Sequence, residues 1–395
     1  MRKKIGRRDL LTGDGIHRVV IKLGSSTLTH PRRGLREEVI GEIAEQVATL
    51  VESRSLSVVV VSSGAISSGR KVLGLTGRPS LAQKQAAAAV GQPVLMEAWS
   101  RALGRRGLRT GQVLLTHEDF ADRRRYLNAK NTFETLLASG IVPIVNENDT
   151  VATAEIRLGD NDHLAALVAH LVGADLLVLM TDLDGLFTAD PHRDPNAVRI
   201  PVLDRVDDTA LGRAQGTRAG SPGTGGMSSK LQAARLAASL GVPVVITQGD
   251  LERRLEDVLA GEDVGTFVIP AAGVRPSGRK LWIAAAGRPR GTLTVDEGAA
   301  RVLREDGRSL LPAGITAVSG DFRPGDVVAI LDPEGQVVAR GVSGWPADEV
   351  ARAMGRRTAD LGDLSERGLS PEVVHRDDLT LVPQDPHSTR EGGAP

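Results

Sequence analysis

From residue 17 to about residue 270, short runs rich in Val, Ile and Leu alternate with longer stretches rich in Ala, Leu and Glu. Strands are expected at 19–23, 57–61, 110–115, 141–145, 176–180 and 242–246. Helices are expected at 36–52, 81–103, 118–138, 162–171 and 228–240. Near-continuous apolar strands separated by amphipathic helices specify the α/β class, with a largely parallel sheet buried on both faces and sandwiched by helices. In such sheets ligands gather at the carboxyl ends of the strands. The residues just after each run are therefore the places to look for chemistry.

A chain of 395 residues exceeds one ordinary domain, and its character changes after Pro270. Ala271-Ala272-Gly273-Val274-Arg275-Pro276-Ser277-Gly278 has the composition of a linker, 271–278. Beyond it, apolar runs at 291–295, 314–318, 326–331 and 336–341 are bounded by turn signals such as Pro324-Gly325-Asp326 and Asp332-Pro333-Glu334-Gly335. This predicts a small, mostly β domain over 279–368 with one or two helices. Residues 16–270 form the larger domain. Residues 1–15, basic through Arg2, Lys3, Lys4, Arg7 and Arg8, are expected to be a flexible arm, and 369–395 a mostly disordered tail.

Several function classes are excluded or disfavoured. With 49 basic and 49 acidic residues the net charge is +0, so there is no general excess for coating nucleic acid, and no nucleic-acid partner is expected. The absence of cysteine rules out disulfides, a thiolate nucleophile and Cys-ligated zinc, and fits a cytoplasmic location. No run approaches the ~18 apolar residues of a membrane span. The eight histidines lack metal-ligand spacing, and no HExxH motif, nucleophile elbow or Walker A loop is present.

Two lysines stand out by position. Lys22 ends an apolar run and precedes Gly24-Ser25-Ser26; Lys230 closes Thr224-Gly225-Gly226-Met227-Ser228-Ser229-Lys230 at the start of a helix. Gly-rich turns offer backbone N–H groups to phosphate oxygens, and a lysine adds charge. Alone, a lysine at a strand end is usually a solvated edge residue, and Lys230 after its Gly-Gly turn is weak by itself. Between them in sequence, Gly159-Asp160-Asn161-Asp162 could hold both ammonium groups in register through Asp162, which could alternatively be a simple helix N-terminal acid. Two cations organised around an anion, with Gly-lined turns, are parts that phosphoryl transfer uses. Asn146-Glu147-Asn148-Asp149-Thr150 forms a second polar cluster, where Asp149 could meet an ammonium and Asn161 other polar atoms of an amino acid. Ser62 and Ser63, in Val61-Ser62-Ser63-Gly64-Ala65, could hold a carboxylate or cap a helix. Thr181 and Asp182 could contact a nucleotide or form an ordinary Asp-Gly turn.

VVIKLGSS, VVSSGAISSGR, VPIVNENDTVATAEIRLGDND, TDLDGLFTADP and GTGGMSSK together resemble the glutamate 5-kinases of the amino-acid kinase family. The likeness continues through GTLTVDEGA and LLPAGITAVSGDF to VHRDD, covering about residues 17–380. It implies an amino-acid kinase fold followed by a PUA domain. It also implies ATP-dependent phosphorylation of the L-glutamate side-chain carboxylate, the first step of proline biosynthesis. Lys22, Thr181, Asp182, Thr224, Gly225, Gly226, Met227, Ser228, Ser229 and Lys230 would bind ATP. Ser63, Asp149 and Asn161 would bind glutamate. Lys22, Lys230 and Asp162 would be catalytic. Mg²⁺ would arrive mainly on the nucleotide, with no protein metal site. L-proline as feedback inhibitor, a glutamyl-phosphate reductase as recipient of the product, and a homo-oligomer also follow from the resemblance. Ser229 departs from the more usual Thr, but a hydroxyl is kept. Aspartate, acetylglutamate, carbamate or a nucleotide are alternative substrates within the fold; the Asn/Asp block and appended β domain favour glutamate.

Overall fold

The apolar runs between residues 17 and 270 form strands of one extended sheet. The structure is a computed structural model and describes residues 7–12, 15–30, 34–151, 161–215, 226–249, 252–271, 289–362, 364 and 369–381. Up to residue 271 its elements are α1 (Arg7–Leu11), β1 (Arg18–Leu23), α2 (Ser25–Leu28), β2 (Thr29–His30), β3 (Gly34–Leu35), α3 (Glu37–Arg54), β4 (Ser57–Ser62), α4 (Ala65–Val72) and α5 (Leu81–Gly104). There follow β5 (Arg109–Leu115), α6 (His117–Ala121), α7 (Arg123–Ala138), β6 (Ile141–Glu147), α8 (Asn161–Leu171), β7 (Leu176–Thr181) and β8 (Val202–Leu203). Last come α9 (Asp208–Gln215), α10 (Met227–Ser239), β9 (Val244–Gln248), α11 (Arg254–Leu259) and β10 (Thr266–Val268).

Among the described residues the main sheet runs β5-β6-β4-β1-β7-β9-β10-β8. All its neighbours pair in parallel except β9 and β10. The chain leaves β1 for β4 on one side and later returns to β7 on the other. That reversal of order creates a crevice at the carboxyl end of β1. Alternation then decides which side chains enter the core. Val19, Ile21 and Leu23 join Val58, Val60, Leu176, Val178 and Met180 in one cluster with residues of α3 and α5. Lys22 projects to the opposite face, where α8 packs on β1.

Local chemistry fixes the helix ends. Ser80 and Gln83 form a reciprocal capping box that starts α5. The helix expected over 118–138 is instead two, α6 and α7, separated at Asp122; Thr116 N and Oγ1 both donate to Asp119 Oδ2, at 2.5 and 2.9 Å, and fix the start of the first. Val242 is not in a strand: its N–H still serves the Ala237 carbonyl at the exit of α10, so β9 begins at Val244.

The chain divides into two units, Met1–Asp119 with Arg124–Val274, and Phe120–Arg123 with Arg275–Pro395. In the second, β11 (Gly291–Val295), β12 (Ile315–Gly320), β13 (Val327–Leu331), β14 (Val337–Val342) and β15 (Leu379–Leu381) form a sheet ordered β12-β11-β13-β14-β15. Leu293, Val295, Phe322, Ile330 and Trp345 centre its own core. Helices Glu297–Asp306 and Ala347–Ala353 complete it.

Two expectations about the ends need correction. Within the arm expected over 1–15, Arg7–Leu11 is helical: Leu11 enters the main core at 1% exposure, while the Arg7 guanidinium donates to the Val264 carbonyl and faces Asp263. Within the tail expected over 369–395, Val373 and Val374 are buried and β15 pairs with β14. Buried apolar side chains and ladder hydrogen bonds explain both. Residues 1–6, 13–14 and 382–395, and most of the linker (272–278), lie outside the described residues.

Candidate active site

Asp162 stands in the first turn of α8, where the helix dipole favours a carboxylate, and it is fully buried at 0% exposure. Lys22 and Lys230, each 3% exposed, converge on it from β1 and α10. Lys22 Nζ pairs with Asp162 Oδ1, and Lys230 Nζ lies 3.2 Å from Asp162 Oδ2. Ser229 Oγ donates to that second oxygen at 2.8 Å. Two ammonium groups therefore share one carboxylate at the carboxyl edge of the sheet. Removing the carboxylate would leave both cations buried without their common partner, which costs about 3–5 kcal/mol in comparable pairs.

The register sets what lies beside this cluster. Lys22 is paired with Val61 on β4 and with Leu179 on β7. Ser63 follows directly, its N–H bonded to the Leu23 carbonyl at 3.2 Å. The next residue, Gly64, has φ +118°, a left-handed conformation that a side chain would strain, and it forms the entry to α4 without any side-chain cap. Neither serine caps that helix. Ser62 faces the core and accepts from Trp99 Nε1 at 2.9 Å. Ser63 turns instead to Asn161, whose Nδ2 donates to Ser63 Oγ at 2.7 Å and to Asn146 Oδ1 at 3.0 Å.

Thr181, at the end of β7, is buried and donates to Asp182 Oδ1 at 2.9 Å, while Asp182 itself is exposed. Met180 is in register with Leu23, so Thr181 reaches the same edge as Lys22 one residue further on. Gly226 is exposed, Met227 buried and Ser228 half-buried at the start of α10. Thr224, Gly225, Gly159 and Asp160 lie outside the described residues. Asp149, half-buried beyond β6, has its carboxyl pushed up to about 6 by burial, a shift opposed by the charge of Lys84. Among the described residues no group of three or more His, Asp or Glu is placed to hold a metal.

Gln92 is absent from the residues marked by sequence, yet its Oε1 accepts from Asn146 Nδ2 at 2.9 Å. Its signal is faint: one amide in the small, apolar stretch 86–93 of a helix.

A buried carboxylate thus holds two lysines at the carboxyl ends of the central parallel strands, beside a cluster of amides and a serine. The chain matches the amino acid kinase family over residues 17–248 and the PUA domain over residues 291–363. It is 46% identical over 369 residues to a glutamate 5-kinase of Pseudomonas entomophila, covering 93% of this chain and 98% of that relative. A glutamate 5-kinase of Pseudomonas paraeruginosa is 47% identical over 376 residues, covering 95% and 100%. A UMP kinase of Bacillus anthracis is similar over 65% of this chain and 97% of its own, at 17% identity and TM-score 0.46, too distant to bear on function. The chain belongs to the amino acid kinase family, and within it stands with the glutamate 5-kinases.

Proposed function

We propose that the chain transfers the γ-phosphoryl group of ATP to the side-chain carboxylate of L-glutamate, giving L-glutamyl 5-phosphate and ADP as the first step of proline biosynthesis. A carboxylate oxygen attacks the γ-phosphorus while the bond to the β–γ bridging oxygen breaks. The acceptor is already ionised at neutral pH, so no general base is needed. The barrier lies in bringing two anions together, and positioned charge lowers it. The observation that carries this proposal is the pair of buried ammonium groups on Asp162.

Lys22 and Lys230 face the transferring phosphoryl group, and Asp162 orients them. The turn leading into α10 (Thr224, Gly225, Gly226, Met227, Ser228, Ser229), together with Thr181 and Asp182, holds the nucleotide. Ser63, Asp149 and Asn161 hold glutamate. Asp162 is engaged by the lysines, so Mg²⁺ would be carried by the nucleotide rather than by this carboxylate and would supply charge neutralisation. L-proline as feedback inhibitor, delivery of the labile acyl phosphate to a glutamyl-phosphate reductase, a homo-oligomeric assembly and a cytoplasmic location belong to the same proposal. Among the described residues no helix is long and apolar enough to cross a membrane.

ADP release with hydroxylamine trapping tests the substrate. Glutamate should yield hydroxamate, and aspartate, one methylene shorter, should show kcat/KM lower by at least about tenfold. Equal turnover of the two acids would remove glutamate from the assignment.

A pH profile tests Asp149. Its carboxyl must be ionised to meet the substrate ammonium, so kcat/KM for glutamate should fall about tenfold per unit below pH 6. Stability runs the other way at this position. The folded pKa stands above its ordinary value, so the fold holds this proton more tightly, and the contribution is lost as pH rises through about 6. Asp149→Asn should abolish this acid limb and raise the glutamate KM. An unchanged limb in that variant would assign the titration to another group.

A further inference from the structure

We propose that Gln92 is a positioning residue for the acceptor site, acting through Asn146 and Asn161 on the Ser63 hydroxyl; the proposal rests on the assignment of glutamate to that site. The hydrogen bonds run in one direction. Glu147 N donates to Asn161 Oδ1 at 3.3 Å, so the Asn161 amide cannot flip without setting its NH₂ against a backbone N–H. Asn161 Nδ2 then donates to Ser63 Oγ at 2.7 Å and to Asn146 Oδ1 at 3.0 Å. Asn146 Nδ2 in turn donates to Gln92 Oε1 at 2.9 Å. The line starts at a backbone amide of β6 and ends at a carbonyl oxygen carried by α5.

The consequence falls on Ser63. Its oxygen accepts from Asn161, which leaves its own proton to be given, and an anionic substrate oxygen is a suitable acceptor. Gln92 holds this polarity from the far end by providing the acceptor that keeps Asn146 turned toward Asn161. Gln92 is 7% exposed, and its Nε2 is buried with no hydrogen-bond partner among the described residues. A buried amide that satisfies only its oxygen is a poor stabilising device. What it secures is the orientation of Asn146.

The test is a double-mutant cycle on the full chain with Gln92→Met, Ser63→Ala and both together, scored by ADP release with glutamate and with ATP as varied substrates. Gln92→Met keeps the length of the side chain and removes the acceptor. It should raise the glutamate KM by about tenfold, as a slight misplacement of binding groups can, and leave the ATP KM within about twofold. In the Ser63→Ala background its effect should shrink, because one of the two glutamate-holding groups it orients is gone while Asn161 remains. A merely structural role would lower the melting temperature and add to Ser63→Ala without this coupling. If Gln92→Met does not fold, Gln92→Asn, which withdraws the acceptor by one methylene, is measured in the same way. An unchanged glutamate KM, or full additivity with Ser63→Ala, would overturn the positioning role. A wild-type chain that is inert toward glutamate would overturn the substrate assignment and this role with it, and so separates the two failures.

Discussion

Alanine in place of Lys230 is expected to lower kcat by about 10²-fold or more, and alanine in place of Lys22 to do the same. Each ammonium is nearly excluded from water and fixed on Asp162 before substrate arrives, so it needs no reorganisation as charge develops on the phosphoryl oxygens. Loss of one such preorganised donor costs roughly 3–4 kcal/mol in other enzymes. Asp162→Ala should be as severe in kcat, and should also lower the melting temperature, because two buried cations lose their shared anion. Steady-state kcat and KM for both substrates, with a thermal melt for each variant, separate these effects. The lysine variants should lose kcat while keeping their fold. Near-normal kcat in both lysine variants would refute a phosphoryl-transfer centre at this place.

The convergence of Lys22 and Lys230 on Asp162 was legible in the sequence because it sits where the fold is most regular. Apolar runs buried on both faces mark β1, β4 and β7 with little ambiguity, and the rule that ligands lie beyond their carboxyl ends points at Lys22, Ser63 and Thr181 directly. Asp162 and Lys230 come with them because each opens a helix after an Asn/Asp-rich or Gly-rich turn. The acceptor side was harder to resolve. Ser62 and Ser63 are indistinguishable as letters, and only strand alternation decides that Ser62 meets Trp99 while Ser63 meets Asn161. Gln92 was invisible because a buried amide in an Ala-rich helix has no periodicity of its own. A helix after Ser63 is one of two readings the letters allow, and its buried face, Ala65, Ser68 and Gly69, carries little apolar signal to decide between them. Docking of α1 and pairing of β15 depend on distant partners, Val264 and β14, that no local pattern announces.

The close approach of α4 to α5 makes Gly91→Ala a second strongly destabilising change. A Cβ on Gly91 would lie 1.8 Å from the Ala65 carbonyl oxygen and 2.5 Å from Gly69 N; a Cβ on Gly69 would lie 1.8 Å from the Ala87 oxygen. These are backbone atoms of the neighbouring helix, so relief requires the helices to part rather than a side chain to turn. In an open helix, Gly→Ala gains about 1 kcal/mol from propensity alone. Gly91→Ala should instead destabilise the fold by about 3 kcal/mol, at the upper end of what overpacking costs. Gly41→Ala is the control: it lies within α3, and a Cβ added there would meet no atom within 4 Å, so it should be neutral or stabilising. Urea titrations of the two variants against the parent chain measure both numbers. The functional effect follows from the same geometry. Ala65 opens α4 two residues after Ser63, and Gln92 follows Gly91 on α5, so parting the helices moves the two ends of the acceptor-site relay away from each other. The glutamate KM of any folded Gly91→Ala protein should therefore rise more than its ATP KM. Equal stability of the Gly91→Ala and Gly41→Ala proteins would show that α4 and α5 do not meet backbone to backbone.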